Sequence, residues 1–274
     1  MIFTNDKSDI LYKSEVAEIR EKYSSVFSLF PDEFKNYIDK KFFVNEKTFY
    51  IYRETLYHTL DVSKIIGRFA KHLGYLENEV KNFMIAGFLH DIGKLTVDPN
   101  LLMPCKFDIY DHLSMEQHTI GSTEILKEIM PLLGDDVDQN LIRDFAMFHH
   151  ILKKDDKRDC YLESKGKFIE WYVKDTYNLV KLPETVEMIT IVDIFHAMMS
   201  NRGYNSKAFS KEETFDELSK TVPGDLLNSF KDMCRDDEDF YTTHEEITGN
   251  QVYNENANRV LSRISEDKNQ INLN

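Results

Sequence analysis

The chain has 274 residues, 42% of them hydrophobic, and a formal net charge of −14. This length and composition suffice for one substantial core, with or without a small satellite domain, and need no disulfides. The charge argues against nucleic acid polymers or an anionic membrane as partners, because such binding depends on clustered Lys and Arg. No segment approaches the roughly 18 uninterrupted apolar residues that a membrane helix needs.

The cysteines Cys105, Cys160 and Cys234 are widely spaced, and none lies in a C-x-x-C pair. This spacing indicates neither a disulfide framework nor a cysteine-ligated zinc site, and it suits a reducing compartment. The amino terminus, MIFTNDKSDI, has neither the basic start nor the apolar stretch of a secretory signal. We therefore expect a cytoplasmic protein.

Apolar residues recur mostly at three- and four-residue intervals, and no alternating pattern is long enough to indicate a sheet. The predicted fold class is therefore all-α. Residues 1–46 are expected to be an N-terminal helical segment, broken near Pro31. Residues 47–235 are the main domain, with a helical stretch from Glu77 to Leu95 and a helix around Lys211 to Thr221. Residues 236–274 are a C-terminal extension, helical or weakly ordered from about Glu266.

The first chemical signal is the pair His90 and Asp91, near the end of the apolar Glu77–Leu95 stretch. A neutral imidazole beside a carboxylate suits iron, manganese, nickel or zinc better than calcium. Lys94 follows Asp91 by three residues, so on a helix it shares the same face and could meet a metal-bound phosphate. Taken alone, such a pair is also compatible with a hydrogen-bonded core histidine.

Further candidate ligands occur at the spacing of successive helices, and they are Glu54, His58, His118, His149, His150 and Asp193. Glu54 and His58 are four residues apart, so both can face one centre. Adjacent helical residues such as His149 and His150 point about 100° apart, which suits two neighbouring metals. Burying so many ionisable groups without partners would be costly, and a shared cation removes that cost.

Each candidate also has a purely structural interpretation. Glu54 could be a surface residue paired with Arg53, and His58 could be half-exposed. His118 could be a helix-start residue, and Asp193 could be a buried acid bonded to the main chain. The ligand hypothesis therefore depends on whether these side chains converge in the fold.

As an ordered set, several pieces of the sequence resemble the HD-GYP domain, a branch of the HD phosphohydrolase superfamily. They are ETLYH (Glu54–His58), FLHDIGKL (Phe88–Leu95), LLMPCKF and MEQHTIGSTEIL (within Leu101–Leu126), FHH (Phe148–His150) and IVDIFHAMMSNRGY (Ile191–Tyr204). The resemblance implies an HD-domain helical bundle with a metal site in its core. It also implies a phosphodiesterase that hydrolyses a cyclic dinucleotide, such as cyclic di-GMP, with metal-activated water.

The resemblance implies two or three divalent metal ions as cofactors, with iron or manganese favoured. The implied metal ligands are Glu54, His58, His90, Asp91, His118, His149, His150 and Asp193. Asp91 would bridge metals, and Lys94 would contact the scissile phosphate, which gives both a catalytic role. Arg202 would hold the substrate, and Lys106 would add positive charge near it.

The chain departs from the HD-GYP pattern after the paired histidines, where it reads HHILKKDDKRDCYLESKGKF. No Glu follows His150 directly, and the Gly-Tyr-Pro signature is missing. His196 stands where the family usually has Asp, and Ser122 replaces a glycine. Three alternatives therefore stay open: a phosphohydrolase acting on another nucleotide or phosphate ester, a di-iron oxygenase, and a catalytically silent module that binds a dinucleotide or a protein. A homodimer or a signalling-protein partner is also left open.

Overall fold

The computed structural model describes residues 5–103, 109–150, 183–200, 208–222, 224–236 and 251–271. These residues are all-α as predicted, and no strand occurs in the described ranges. The helices are α1 (Asn5–Lys22), α2 (Ser24–Phe27), α3 (Asp32–Phe42), α4 (Glu46–His72), α5 (Glu77–Leu89), α6 (Ile109–Glu116), α7 (His118–Leu133), α8 (Gln139–Phe148), α9 (Glu184–Met199), α10 (Lys211–Thr221), α11 (Asp225–Asp236) and α12 (Gln251–Ile271). Within this part of the chain, every helix is too short or too polar to cross a membrane.

The longest helix, α4, forms the centre of the bundle. It begins after Asn45, whose side chain accepts a hydrogen bond from the Thr48 amide at 2.9 Å and so caps the helix. Helices α5, α9 and α12 all pack against it. Most of its residues are buried, and the buried polar residues include His58 and Asp61. Polar groups buried in the middle of a bundle need partners, and the neighbouring helices must supply them.

The helix that carries the His-Asp pair is shorter than the sequence predicted. α5 ends at Leu89, and a 3₁₀ turn at Ile92–Thr96 replaces the expected continuation to Leu95. The Lys94 amide donates to the Asp91 carbonyl at 2.9 Å, which is the three-residue hydrogen bond of a 3₁₀ turn. The turn packs against α7. A second 3₁₀ turn follows at Pro99–Leu102.

The two ends of the chain pack on the same core as its centre. The buried cluster runs from Tyr12 in α1 through Leu56 in α4 to Ile264 in α12. Pro31 directly precedes α3, as the predicted break requires. α10 has the predicted bounds, and the helix expected to weaken near Glu266 continues to Ile271. The division at residues 46 and 235 stays a sequence-based prediction.

A buried ion pair joins the N-terminal segment to α4. The Arg53 guanidinium donates from Nε to the Glu15 carboxylate at 2.6 Å, and the Tyr57 hydroxyl donates to the same oxygen at 2.8 Å. The side chains of Glu15 and Arg53 are 0% and 5% exposed. Removing one partner from such a pair leaves a buried charge without compensation, so the pair makes the docking of α1 specific.

We predict that Glu15→Ala lowers the free energy of unfolding by about 3 kcal/mol, because Arg53 then stays buried with the exposed Glu54 as its remaining carboxylate partner among the described residues. Urea unfolding of the full chain, followed by circular dichroism, measures the change. The control is Glu21→Ala, an exposed position on the same helix, where we expect a change within about 0.5 kcal/mol. Equal unfolding midpoints for Glu15→Ala and the unaltered chain would show that the pair does not hold α1 in place.

Candidate metal centre

Seven of the eight predicted ligands converge at one place in the bundle: His58, His90, Asp91, His118, His149, His150 and Asp193. They come from five different helices or helix ends, which explains their wide separation in the sequence. All are buried except His150, whose side chain is 37% exposed. His58 is therefore buried rather than half-exposed, and it contacts Asp193. The carboxylate of Asp193 lies against histidine side chains, which the interpretation of a main-chain-bonded acid did not predict.

Helix ends bring most of these side chains to the cluster. His90 lies directly after α5, and His149 lies directly after α8. His118 is the first residue of α7, as predicted. His58 and Asp193 instead lie inside the neighbouring helices α4 and α9. Residues at helix ends leave the helical path, so consecutive residues such as His149 and His150 can both face one centre.

The Asp91 carboxylate lies between two pairs of histidines. Its Oδ2 is 3.4 Å from His58 Nε2 and 3.5 Å from His90 Nε2. Its Oδ1 is 3.1 Å from His118 Nε2 and 3.6 Å from His149 Nε2. One carboxylate thus has a different oxygen facing each pair, which is the arrangement that a bridging ligand needs.

Asp193 supplies a second carboxylate to the cluster. Its Oδ1 is 3.0 Å from His58 Nε2 and 3.8 Å from His90 Nε2. Its Oδ2 is 3.8 Å from His150 Nδ1. Asp193 therefore touches the first histidine pair with one oxygen and approaches His150 with the other.

The main chain sets the orientation of three histidines. The Nδ1 of His90 donates to the Gly87 carbonyl at 2.7 Å, that of His118 to Met115 at 2.6 Å, and that of His149 to Phe145 at 2.7 Å. A neutral imidazole with its proton on Nδ1 has a lone pair on Nε2. The three Nε2 lone pairs consequently point at the carboxylate oxygens, where a donor or a cation is needed.

The donor set fits divalent metal ions. Asp91 Oδ1 is buried, yet it accepts no hydrogen bond within the described part of the chain. Three overlapping groups have ligand atoms within 4.8 Å of one another: His118, His149 and His150; His58, His90 and Asp91; and His90, His149 and Asp193. Lone pairs packed this closely repel one another unless a cation lies among them. Mixed imidazole and carboxylate ligands are those that iron, manganese and zinc accept.

The electrostatics of the cluster favour charged carboxylates at Asp91 and Asp193 and neutral rings at His90 and His150. Burial alone would raise the pKa of Asp91, but Lys94 and His90 lower it well below its usual range. Burial would also raise the pKa of Asp193, but the contact with His58 lowers it, and the pKa lies well below its usual range. Burial lowers the pKa of His90, and it lowers that of His150 well below the usual range although this side chain is partly exposed. Anionic carboxylates and neutral imidazoles are the forms that bind metals.

Glu54 is the predicted ligand that the structure does not bring to the cluster. Its side chain is 47% exposed, and its carboxylate accepts from the Arg53 guanidinium at 3.1 Å. The four-residue spacing from His58 is therefore not enough, because the neighbouring cation holds Glu54 at the surface. This is the structural alternative that the sequence left open.

The three predicted phosphate-binding residues have different outcomes. Lys94 lies at the edge of the cluster, 14% exposed, with its ammonium 2.5 Å from Asp91 Oδ2. Its predicted proximity to Asp91 is thus present, through a 3₁₀ turn rather than an α-helix. Lys106 and Arg202 lie outside the described residues, as does the segment that replaces the Gly-Tyr-Pro signature.

From the sequence, Ser122 and His196 were only departures from the family pattern, and their supporting roles and that of Thr190 were not predicted. Ser122 accepts from the Gly93 amide at 3.1 Å and donates to the His118 carbonyl at 3.0 Å, so it joins the 3₁₀ turn to α7. Thr190 donates to the His149 carbonyl at 2.9 Å. His196 contacts His58. The sequence could have indicated this contact, because His196 lies about one helical turn after the predicted ligand Asp193.

We predict that Gly93→Ala disrupts the cluster. A Cβ at this position would lie 1.8 Å from the His118 carbonyl oxygen and 2.5 Å from the Ser122 amide, so α7 must move. We expect a loss of about 1–3 kcal/mol in unfolding free energy, together with reduced metal content after purification. The measurements are thermal unfolding and elemental analysis.

The matched control is Gly67→Ala, which adds the same methyl group to another buried glycine of the bundle. There the new Cβ meets the side chain of Met84 rather than a backbone. This variant should lose stability without losing metal. Full metal content in Gly93→Ala would mean that the contact between the 3₁₀ turn and α7 does not position His118.

Comparison with known proteins agrees with this geometry. Residues 55–198 match the family described as HD domain, which is more than half of the chain. The chain is also 25% identical over 251 residues to a cyclic di-GMP phosphodiesterase of Thermotoga maritima. That alignment covers 79% of this chain but 61% of the relative, so the chain spans less than two thirds of the relative's length.

Proposed function

This chain belongs to the HD domain family, and we propose that it is a metal-dependent phosphodiesterase that hydrolyses a cyclic dinucleotide, cyclic di-GMP or a related compound. The observation that carries the proposal is the convergence of five histidines and two aspartates around the carboxylate of Asp91. Divalent ions bound there would activate a water molecule and offset the charge of a phosphodiester.

The arrangement of donors supports two ion positions. His58 and His90 lie on the Oδ2 side of Asp91, and His118 and His149 lie on its Oδ1 side. His150 adds to the second group and Asp193 to the first, although Asp193 also approaches His150. The exposure of Glu54 favours two ions over three, because it leaves seven of the eight predicted ligands at the cluster. We propose iron or manganese, which this mixture of ligands suits.

The protein's own groups would orient the phosphate and stabilise its charge. Lys94 is the cation at the edge of the cluster, and its contact with Asp91 leaves further ammonium protons for a phosphoryl oxygen. Arg202 and Lys106 are proposed to bind the substrate beyond it. Local cations of this kind are needed, because a net charge of −14 would otherwise repel a dinucleotide.

The similarity to the Thermotoga maritima phosphodiesterase supports a cyclic dinucleotide as the substrate. One observation favours a second candidate, a phosphohydrolase that acts on another nucleotide or phosphate ester. The segment after His150 lacks the Gly-Tyr-Pro signature, and this segment is where the resemblance to HD-GYP domains is weakest. The two functions share the metal centre and differ only in the substrate.

The test is elemental analysis of protein purified without oxygen, followed by assays of the same sample on a substrate panel. The panel contains cyclic di-GMP, its linear product, other cyclic dinucleotides and simple phosphate esters. We expect about two metal ions per chain and preferential cleavage of a cyclic dinucleotide. Preference for another ester would select the second candidate, and a metal-loaded protein inert on the whole panel would overturn the proposed hydrolysis.

We predict that His90→Ala abolishes metal loading and hydrolysis while helical content stays nearly unchanged. His90 belongs to two of the three ligand groups, and its side chain is fully buried among them. Metal content, turnover and the circular dichroism spectrum are measured on one preparation. His72→Ala is the control, because His72 is an exposed histidine at the end of α4. Unchanged turnover in His90→Ala would refute the assigned centre.

For Arg202→Ala, we predict weaker substrate use with metal content retained, since the proposed role of Arg202 is to hold phosphate. Truncating a hydrogen bond to a charged group costs about 1.5–3 kcal/mol, which corresponds to a fall of roughly 10- to 100-fold in kcat/KM. Lys106→Ala is compared in parallel and should have a smaller effect. Loss of metal from Arg202→Ala would contradict the role that we assign to it.

A further inference from the structure

His58 is oriented differently from three other histidines of the cluster. His90, His118 and His149 each donate from Nδ1 to a main-chain carbonyl. His58 Nδ1 instead lies 2.7 Å from Nδ1 of another histidine, His196. Both rings are buried, with 3% and 1% of each residue exposed. One ligand is therefore held by a side chain, which a mutation can change without altering the backbone.

The hydrogen bonds beyond His58 continue to a buried carboxylate. His196 Nε2 lies 3.2 Å from Asp61 Oδ2, and the Tyr23 hydroxyl donates to Asp61 Oδ1 at 2.8 Å. Asp61 lies one helical turn after His58 on α4, and His196 lies one turn after Asp193 on α9. Tyr23 comes from the N-terminal segment, between α1 and α2.

The direction of each hydrogen bond follows from the atoms involved. An ionised Asp61 can only accept, so both the Tyr23 hydroxyl and His196 Nε2 must donate to it. A neutral His196 with its proton on Nε2 has a lone pair on Nδ1 and must accept there. His58 then donates from Nδ1, which leaves the lone pair of His58 Nε2 facing Asp91 and Asp193.

The Ser200 side chain also lies near the ring of His196, with its Oγ 3.2 Å from each ring nitrogen. Its hydroxyl donates to the His196 carbonyl at 2.6 Å. Its proton is thus used, and it does not compete with His58 as the donor to His196 Nδ1.

We propose that His196 is a positioning residue that accepts a hydrogen bond from Nδ1 of His58. His196 is itself oriented by Asp61, which Tyr23 holds in turn. The inference rests on the proposed metal centre. An acceptor that bonds to the non-ligating ring nitrogen fixes the tautomer of a ligating histidine, and losing it lowers metal affinity about 10- to 100-fold. Tyr23 brings the N-terminal segment into the support of the centre.

The test compares three variants of the full chain, His196→Asn, His196→Gln and His196→Leu. The Asn side chain can place an acceptor near the position of Nδ1, whereas the Gln amide reaches nearer to Nε2 and leaves His58 without an acceptor. Leu removes both atoms. Mn²⁺ affinity is measured by competition with a chelator, and thermal unfolding of the metal-free proteins shows whether each variant folds.

We expect His196→Asn to stay within about threefold of the unaltered chain, and His196→Gln and His196→Leu to bind Mn²⁺ about 10- to 100-fold more weakly. Equal affinity in all folded variants would overturn the positioning role. Equal weakening of Asn and Gln variants would do the same, since a merely structural role does not distinguish the two amides. If the unaltered chain binds no Mn²⁺, the proposed metal centre itself fails, which is a different outcome.

A second measurement does not depend on any variant. In the Zn²⁺-loaded, ¹⁵N-labelled chain, a proton held between two ring nitrogens gives a ¹⁵N–¹⁵N coupling across the hydrogen bond. We expect this coupling between Nδ1 of His58 and Nδ1 of His196, with the proton on His58. A proton found on His196 Nδ1, or the absence of the coupling, would contradict the proposal.

Discussion

The buried carboxylate of Asp91 determines much of the structure around it. A charge removed from water is stable only if other charges or dipoles replace the water. In this protein four imidazoles and an ammonium surround the two carboxylate oxygens. These groups come from helices far apart in the sequence, so the packing of the bundle and the chemistry of its centre depend on the same contacts.

The helical fold and most of the cluster could be predicted because both leave recognisable patterns in the sequence. Apolar spacing indicates helices, and histidines at helix ends are visible as motifs such as the paired His149 and His150. Spacing could not decide the position of Glu54. The sequence places this residue four positions before His58 and directly after Arg53, so either the metal ligands or the guanidinium could be its partner. The 3₁₀ turn after Asp91 was also missed, since it depends on a contact between Gly93 and α7 that no local pattern records.

The histidines of the cluster differ in how much evolution can change them. Three are held by main-chain carbonyl groups three or four residues earlier in the chain, and such acceptors persist whatever the surrounding side chains become. The orientation of His58 depends on His196, Asp61 and Tyr23, each of which can be substituted. Variation in this family that adjusts the centre without removing it is therefore expected around His58.

Because α4 starts at Glu46, the match to the family, which begins at residue 55, starts within a helix. A fragment cut at that boundary would lose the first two turns of α4 and the partners that Glu15 and Tyr23 supply to Tyr57 and Asp61. It would also lose α1, whose buried residues belong to the same core cluster as those of α4. The portion that folds by itself is accordingly expected to be larger than the region matched by the family, and expression or crystallisation should begin from all 274 residues.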